Sequence, residues 1–321
     1  MYWEKLGKIF DPTEHKFAGA CMSFAQAPQT LVFDDFVRIY FSTRTQDAST
    51  GLYLSHIAYI EMDLEFKHLL KISEHEVIPL GKTGCFDEHG IFPLHVFRNA
   101  ERVWGYIGGV HRRQSVPVDS AIGLAVSQDQ GKTFIRLGDG PIISASLHEP
   151  CLIADPFVQF FDGKFYMWYI FGQGWENFGT NSNGGEERIY KITQASSLDG
   201  IHWDRQNGRS IISSRIGVQE CQALPSVVRI ENRYHMFFCY RYPDDFRANR
   251  DRSYRIGYAY SDDLLNWSRD DAEGGFEISE EGWDSGMNCY PHVFTIRDQV
   301  FMLYNGNEFG KTGFGLARLC P

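Results

Sequence analysis

The sequence predicts an all-β fold, a five-bladed β-propeller forming a single domain over residues 1–321. Three observations predict it. An X-Pro step leading into an apolar strand occurs five times, with Pro28, Pro93, Pro156, Pro225 and Pro291 spaced 65, 63, 69 and 66 residues apart. Six residues after each proline stands a turn position (Asp34, Asn99, Asp162, Glu231, Arg297), as the tip of a β-hairpin requires. Between the repeats no segment carries helical periodicity.

Each element follows from this register. The five apolar runs after the X-Pro steps are first strands. Second strands are the aromatic and β-branched runs at 37–42, 103–108, 165–170, 234–239 and 300–305. Third strands are visible at 122–127, 190–196, 256–261 and 314–317. Three of them end in a Ser/Asp turn before an aromatic residue: Ser127 to Phe134, Ser197 to Trp203 and Ser261 to Trp267. There the Ser and Asp side chains satisfy turn amides while the aromatic plugs the gap to the next blade. The last repeat has about three strands, so residues 1–12 are expected to supply its outer strand and close the ring. The blades then lie near 20–80, 81–145, 146–214, 215–280 and 281–321 plus 1–12.

Composition narrows the function. With 31 Lys+Arg against 41 Asp+Glu the formal net charge is −10, which argues against generic nucleic-acid binding. No uninterrupted apolar run reaches the roughly 18 residues of a membrane span, and no export signal opens the chain. Seven scattered cysteines without ligand spacing read as reduced thiols in a cytoplasm. No metal site or cofactor motif is specified.

Aligning the blades predicts a pocket lining. Before the prolines stand Ala27, Phe92, Asp155, Leu224 and Tyr290; only Asp155 is acidic, and an Asp beside a propeller axis needs partners or a task. It either caps a local turn or acts on a ligand. At the exits of the second strands stand Arg44, Arg241 and Asn307, with His111 and Arg112 in the second blade, suited to an anionic ligand or to pairing with nearby carboxylates. Trp175, in a long loop, offers a face for a sugar ring or covers the core. Asp87, Glu88, Glu220 and Asp284 precede first strands; the recurrence of an aromatic-Asp-x(x)-Gly pattern at Asp87 and Asp284 favours a shared turn, whereas Glu220 stands without a counterpart. Gln26, Gln222, Asn288 and Asn305 complete the candidate binding residues.

The stretch from Ile153 to Val158, with Asp162 to Tyr169, resembles the five-bladed propeller clans of glycoside hydrolases, the arabinanase/xylosidase and invertase/levansucrase group, with kinship to the propeller mannoside phosphorylases. The resemblance covers nearly the whole chain. It implies three acting carboxylates, of which only the blade-three position matches, as Asp155; Ala27 and Ala223 stand where the base and the acid would be. The motifs Ala25 to Pro28, Arg38 to Arg44 and Tyr304 to Asn307 also resemble uncharacterised glycosidase-like propellers encoded with bacterial surface-polysaccharide genes, which implies a carbohydrate ligand; the arginines at the mouth extend this to a sugar-phosphate. Three readings follow. The first is an inverting glycosidase using Asp155 or Asp284 with Glu220 or Asp87 as a displaced acid. The second is a transferase or phosphorylase acting on a phosphorylated, nucleotide-linked or acidic sugar. The third is a non-catalytic sugar-binding propeller.

Overall fold

A computed structural model describes residues 1–15, 23–179 and 186–320. The fold is all-β. The strands are β1 (Tyr2–Phe10), β2 (Ser23–Val32), β3 (Phe36–Gln46), β4 (Tyr53–Asp63), β5 (Leu69–Ile72), β6 (Gly90–Asn99), β7 (Arg102–Arg112), β8 (Val118–Ser127), β9 (Ile135–Arg136) and β10 (Cys151–Phe161). They continue with β11 (Lys164–Glu176), β12 (Glu187–Ser197), β13 (Asp204–Arg205), β14 (Cys221–Ile230), β15 (Arg233–Arg241), β16 (Arg255–Ser261), β17 (Ser268–Arg269), β18 (Cys289–Ile296), β19 (Gln299–Asn305) and β20 (Phe314–Cys320).

The strands pair antiparallel in sequence order within four-stranded units, β2 to β5, β6 to β9, β10 to β13 and β14 to β17, and a parallel bridge between Ser55 of β4 and Gly90 of β6 joins the first two into one sheet. In the remaining unit the order is β18, β19, β20, β1. The third strand of the first unit, β4, escaped the sequence reading, and the second strands run longer than their apolar cores. Trp175, expected in a loop, belongs to β11, because Gly174 and Trp175 still pair with Ile189 and Arg188 of β12. The first strands β2, β6, β10, β14 and β18 each lie against the next, and β18 lies against β2. No helix is long and apolar enough to cross a membrane among the described residues. Cys21 lies outside the described residues; the other six cysteines are free thiols.

Every first strand is bulged at its X-Pro step: the register shifts between Gln26 and Gln29, Ile91 and Leu94, Ala154 and Phe157, Ala223 and Ser226, and Cys289 and His292. Ala27, Asp155, Leu224 and Tyr290 sit there at φ of 50°, 56°, 47° and 57°. Such left-handed non-glycine residues cost about 1–3 kcal/mol each and persist because neighbours hold them. The freed Ala27 amide donates to Asn305 Oδ1 at 2.8 Å, and the Leu224 amide to Asp155 Oδ2 at 3.1 Å.

The Ser/Asp turns form as expected. Ser127 Oγ donates to Asp129 (2.7 Å) and accepts from the Gly131 amide (2.7 Å); Ser197 with Asp199 and Ser261 with Asp263 repeat the motif at 3.0 Å. Their aromatics, however, pack on the preceding unit and not on the next. Phe134 meets Tyr40, Trp203 meets Tyr106 and Trp267 meets Trp168, all edge-on at 6.0–6.1 Å. The reason is that each turn overhangs the second strand of the unit before it, where Tyr40 and Tyr106 donate to the carbonyls of Gly131 (2.7 Å) and Gly200 (3.1 Å). Gly131, at φ +84°, allows this approach: a Cβ there would lie 2.2 Å from the Tyr40 hydroxyl.

A buried carboxylate just before the first strand reaches a cation on the outer strand of the same unit, four times over. Asp87 accepts from Arg136 Nε (2.8 Å), Glu149 from Arg205 Nε (3.0 Å), Glu220 from Arg269 Nη1 (2.6 Å) and Asp284 from Lys5 Nζ (2.7 Å). Tyr169 and Tyr304 add hydroxyl donors to Glu149 (2.9 Å) and Asp284 (3.1 Å). The outer strands β9, β13 and β17 are two residues long, so these clamps hold what little ladder pairing cannot. Removing one partner strands a buried charge. Glu149→Ala is therefore expected to lower stability by about 3–5 kcal/mol in urea unfolding; an unchanged midpoint at unchanged slope would show that the clamp contributes nothing.

Candidate functional site

Three of the five bulges place their pre-proline residue on the wall of a cavity of about 310 Å³. Phe92, Asp155 and Tyr290 line it from the first strands, Arg44, Val110 and Arg112 from the ends of second strands and Ile170 from the middle of one. Tyr53, Ser55, Ser120, Arg188 and Tyr190 come from third strands, and His89 and Tyr254 from the segments leading into β6 and β16. The third-strand residues were missed by the sequence reading. A signal was present: a second strand that ends at the cavity hands over to an antiparallel third strand that starts there, which points to Arg188 and Tyr190.

Seven carboxylates are buried among the described residues: Asp87, Asp119, Glu149, Asp155, Glu187, Glu220 and Asp284. Six of them are ion-paired, Asp119 with Arg113 (2.6 Å), Glu187 with Arg247 (2.6 Å) and four in the clamps. Asp155 has no ion pair among these residues and accepts one backbone hydrogen bond, from Leu224. Burial pushes its carboxyl up to about 7, against the downward pull of the Leu224 amide and the Arg188 charge. Near neutral pH Asp155 is thus populated in both its acid and its base form.

The structure separates the other candidate acids from this cavity. None of Asp87, Glu88, Glu220 or Asp284 lines it. Glu220, read as lacking a counterpart, is the fourth unit's version of the clamp; besides Arg269 it accepts from the amides of Arg215 (2.9 Å) and Ile216 (3.1 Å) and from Gln222 (2.8 Å). Glu88 accepts from the Gly84 amide (2.8 Å) and approaches His89 (3.3 Å).

The candidate binding residues also divide. Arg44 lines the cavity with its guanidinium over Phe24 and Tyr53, 4.6 and 5.4 Å from the ring centres. Arg112 lines it while bonded to Asp47 (3.1 Å) and the Tyr53 carbonyl (3.2 Å). Arg241 is fully buried, donating to the carbonyls of Tyr242 (2.8 Å) and Pro243 (3.0 Å) and to the hydroxyls of Tyr190 (3.1 Å) and Tyr254 (3.2 Å). Those two phenols, 2.6 Å apart, put a paired hydroxyl on the cavity lining, backed by a cation. Trp175 lies 6.0 Å from the Arg188 guanidinium, and His111 Nδ1 lies 3.3 Å from the Phe86 carbonyl.

The amides serve the backbone. Gln26 donates to the Phe309 carbonyl (2.6 Å), Gln222 to that of Ile212 (3.3 Å), and Asn288 accepts from the Ile256 amide (3.1 Å). Asn305 bridges Ala25 and Gly313 (both 2.8 Å), and Asn307 accepts from the amides of Gly286 (2.7 Å) and Met287 (3.2 Å). No cluster of three His, Cys, Asp or Glu able to hold a metal ion occurs among the described residues.

The Asp155 carboxyl has a thermodynamic consequence. Folded, it keeps its proton up to about pH 7; unfolded, it releases it near 3.8. Between those values the native state binds more protons, so this group's contribution is full below about pH 4 and is lost as pH rises to about 7. Asp155→Asn, which cannot ionise, is expected to gain stability relative to the natural chain as pH goes from 4 to 8, by at most about 4 kcal/mol. Melting temperatures of the two proteins across that range check this; parallel curves would contradict it.

No family model matches the chain. Among solved structures it is similar to a BT0996 RGII complex, with a TM-score of 0.72 at 18% identity over 99% of this chain and 92% of that one. It is also similar to a thermostable family-43 glycoside hydrolase (TM-score 0.65, 16% identity, 96% and 92% covered). A third is a structure from the GH130 family of mannoside phosphorylases, which contains hydrolases of β-1,2 mannosidic linkages in Candida mannan (TM-score 0.65, 14% identity, 100% and 91%). At these identities the likeness is one of fold, that of propeller-type glycoside hydrolases. Two uncharacterized proteins of Mycobacterium tuberculosis, MT1551 and Rv1502, are each 33% identical to it over 320 residues, 99% of either chain. With that identity over its whole length, the chain belongs to the same family as MT1551 and Rv1502.

Proposed function

We propose that this protein is a glycosidase-like, carbohydrate-active enzyme, built as a five-bladed propeller whose last blade is completed by β1, with Asp155 as its proton-handling catalytic residue. The observation that carries the reading is the contrast among the buried carboxylates: among the described residues Asp155 alone opens on the cavity without an ion pair. Five four-stranded units with their first strands in a closed succession support the propeller, as does the shared fold with glycoside hydrolases.

In its acid form Asp155 gives a proton to the glycosidic oxygen as the bond from the sugar carbon to that oxygen breaks. Water then bonds to the carbon, and its proton returns to the Asp155 carboxylate. A carboxyl near neutrality suits both steps. Inversion by two carboxyls would need a second one roughly 6.5–9.5 Å away. Among the described residues the lining holds no second Asp or Glu, and Glu220, Asp87 and Asp284 are engaged in clamps, so the expected inverting pair is not assembled. The hydroxyl pair of Tyr190 and Tyr254 is a further proton-bearing group on the wall.

Asp155→Asn keeps size and hydrogen bonding while removing the proton, so turnover on a panel of neutral and acidic oligosaccharides is expected to fall roughly 10²–10⁴-fold with binding retained. The natural enzyme's pH–rate profile should bend near pH 7. Wild-type turnover by the variant would refute the assignment. Glu220→Gln, by contrast, is expected to lower the unfolding midpoint, since it weakens the clamp to Arg269.

A further inference from the structure

Most arginines around the cavity are matched. Arg112 is bonded to Asp47, Arg113 to Asp119, and Arg247 to Glu187. Arg241 is held by carbonyls and tyrosines. Arg44 and Arg188 are different: among the described residues neither guanidinium makes an ion pair or a side-chain hydrogen bond, and Arg44 Nε is buried without a partner. Both line the cavity.

Desolvation lowers the Arg44 pKa, and the charges of Arg188 and Arg247 lower it further, so these cations are close enough to repel. Asp155, the one carboxylate on the lining among the described residues, is raised to about 7 by burial and offsets only part of this. A chain of net charge −10 therefore carries a local concentration of positive charge in its cavity. Guanidiniums present a planar fork that matches carboxylate and phosphate oxygens. A neutral sugar would leave both unpaired in a half-buried site, which disfavours it.

Resting on the carbohydrate reading above, we propose that the cavity selects sugars bearing their own acidic group, a carboxylate or a phosphate ester, gripped by Arg44 and Arg188. Arg188 was absent from the sequence-based candidates and Arg241, included there, is not part of the grip.

The test is titration calorimetry with matched probes: glucuronate and glucose, galacturonate and galactose, mannuronate and mannose, hexose 6-phosphates, and inorganic phosphate. At least one acidic sugar is expected to bind tenfold or more tighter than its neutral counterpart. Arg44→Gln and Arg188→Gln should each weaken that acidic ligand at least tenfold and leave any neutral ligand within twofold. Arg44→Lys, which retains the charge without the fork, should fall between, with melting temperatures confirming that all variants fold. Tighter binding of uronates or of sugar phosphates identifies which acidic group is read. Equal affinity for neutral and acidic members, indifference to both arginine variants, binding of inorganic phosphate alone, or no binding at all would overturn the proposal. The underlying reading fails separately: acidic sugars held by the arginines but turned over normally by Asp155→Asn would leave the grip standing and remove the catalytic assignment. Neutral sugars cleaved only with Asp155 present, whatever the arginines, would do the reverse.

Discussion

The carboxylate clamp is the interaction on which the sheets depend. An outer strand of two residues contributes few ladder hydrogen bonds, yet β9, β13 and β17 each carry the arginine that reaches back to the carboxylate before the first strand. One side chain thus ties the entry of a unit to its far edge. The arrangement obliges the fold to bury charge, which is tolerable only in matched pairs with further hydrogen bonds. Glu149 meets this with Arg205, Tyr169 and the Gly208 amide. Against that rule Asp155 stands out, an acid kept in the interior by burial of its neutral form.

The second constraint is the bulge. Ala27, Asp155, Leu224 and Tyr290 share one backbone conformation and one relation to the following proline, yet present a methyl, a carboxyl, an isobutyl group and a phenol. The repeated backbone fixes where a side chain points, and the identity at each position is left free to differ. Chemistry can then reside in a single unit while its equivalents merely fill space, as Ala27 and Leu224 do.

What could be read from sequence was what is local. The X-Pro steps, the hairpin tips and the Ser127/Asp129 type of turn are made by residues within a few positions of one another, so their spacing reveals them. The clamps join residues far apart: Asp87 and Arg136 are separated by 49 positions, Glu149 and Arg205 by 56, Asp284 and Lys5 by 279. For that reason Glu220 looked solitary although Arg269 stands at its unit's edge. The direction in which Phe134 and Trp267 pack was equally hidden, since it depends on which neighbour the turn overhangs. Arg188 and Tyr190 sit at the entry of a third strand, outside the register that the prolines set for first-strand starts and second-strand exits.

The pairing of β1 with β20 sets an order on biosynthesis. Each of the other strands finds its ladder partner soon after emerging, and each turn docks on a unit already made. β1 is synthesised before its partner and must wait for β20; Glu4 and its partner Arg318 are 314 positions apart. During translation it is an unpaired edge, the kind of element that recruits strands from other nascent chains. Its composition suits the wait: Glu4, Lys5 and Lys8 put charges along the strand, and Gly7 interrupts its register. Lys5, one of the charges along that edge, is also the cation of the Asp284 clamp, so the residue that charges the strand locks the last sheet once β1 has paired with β20.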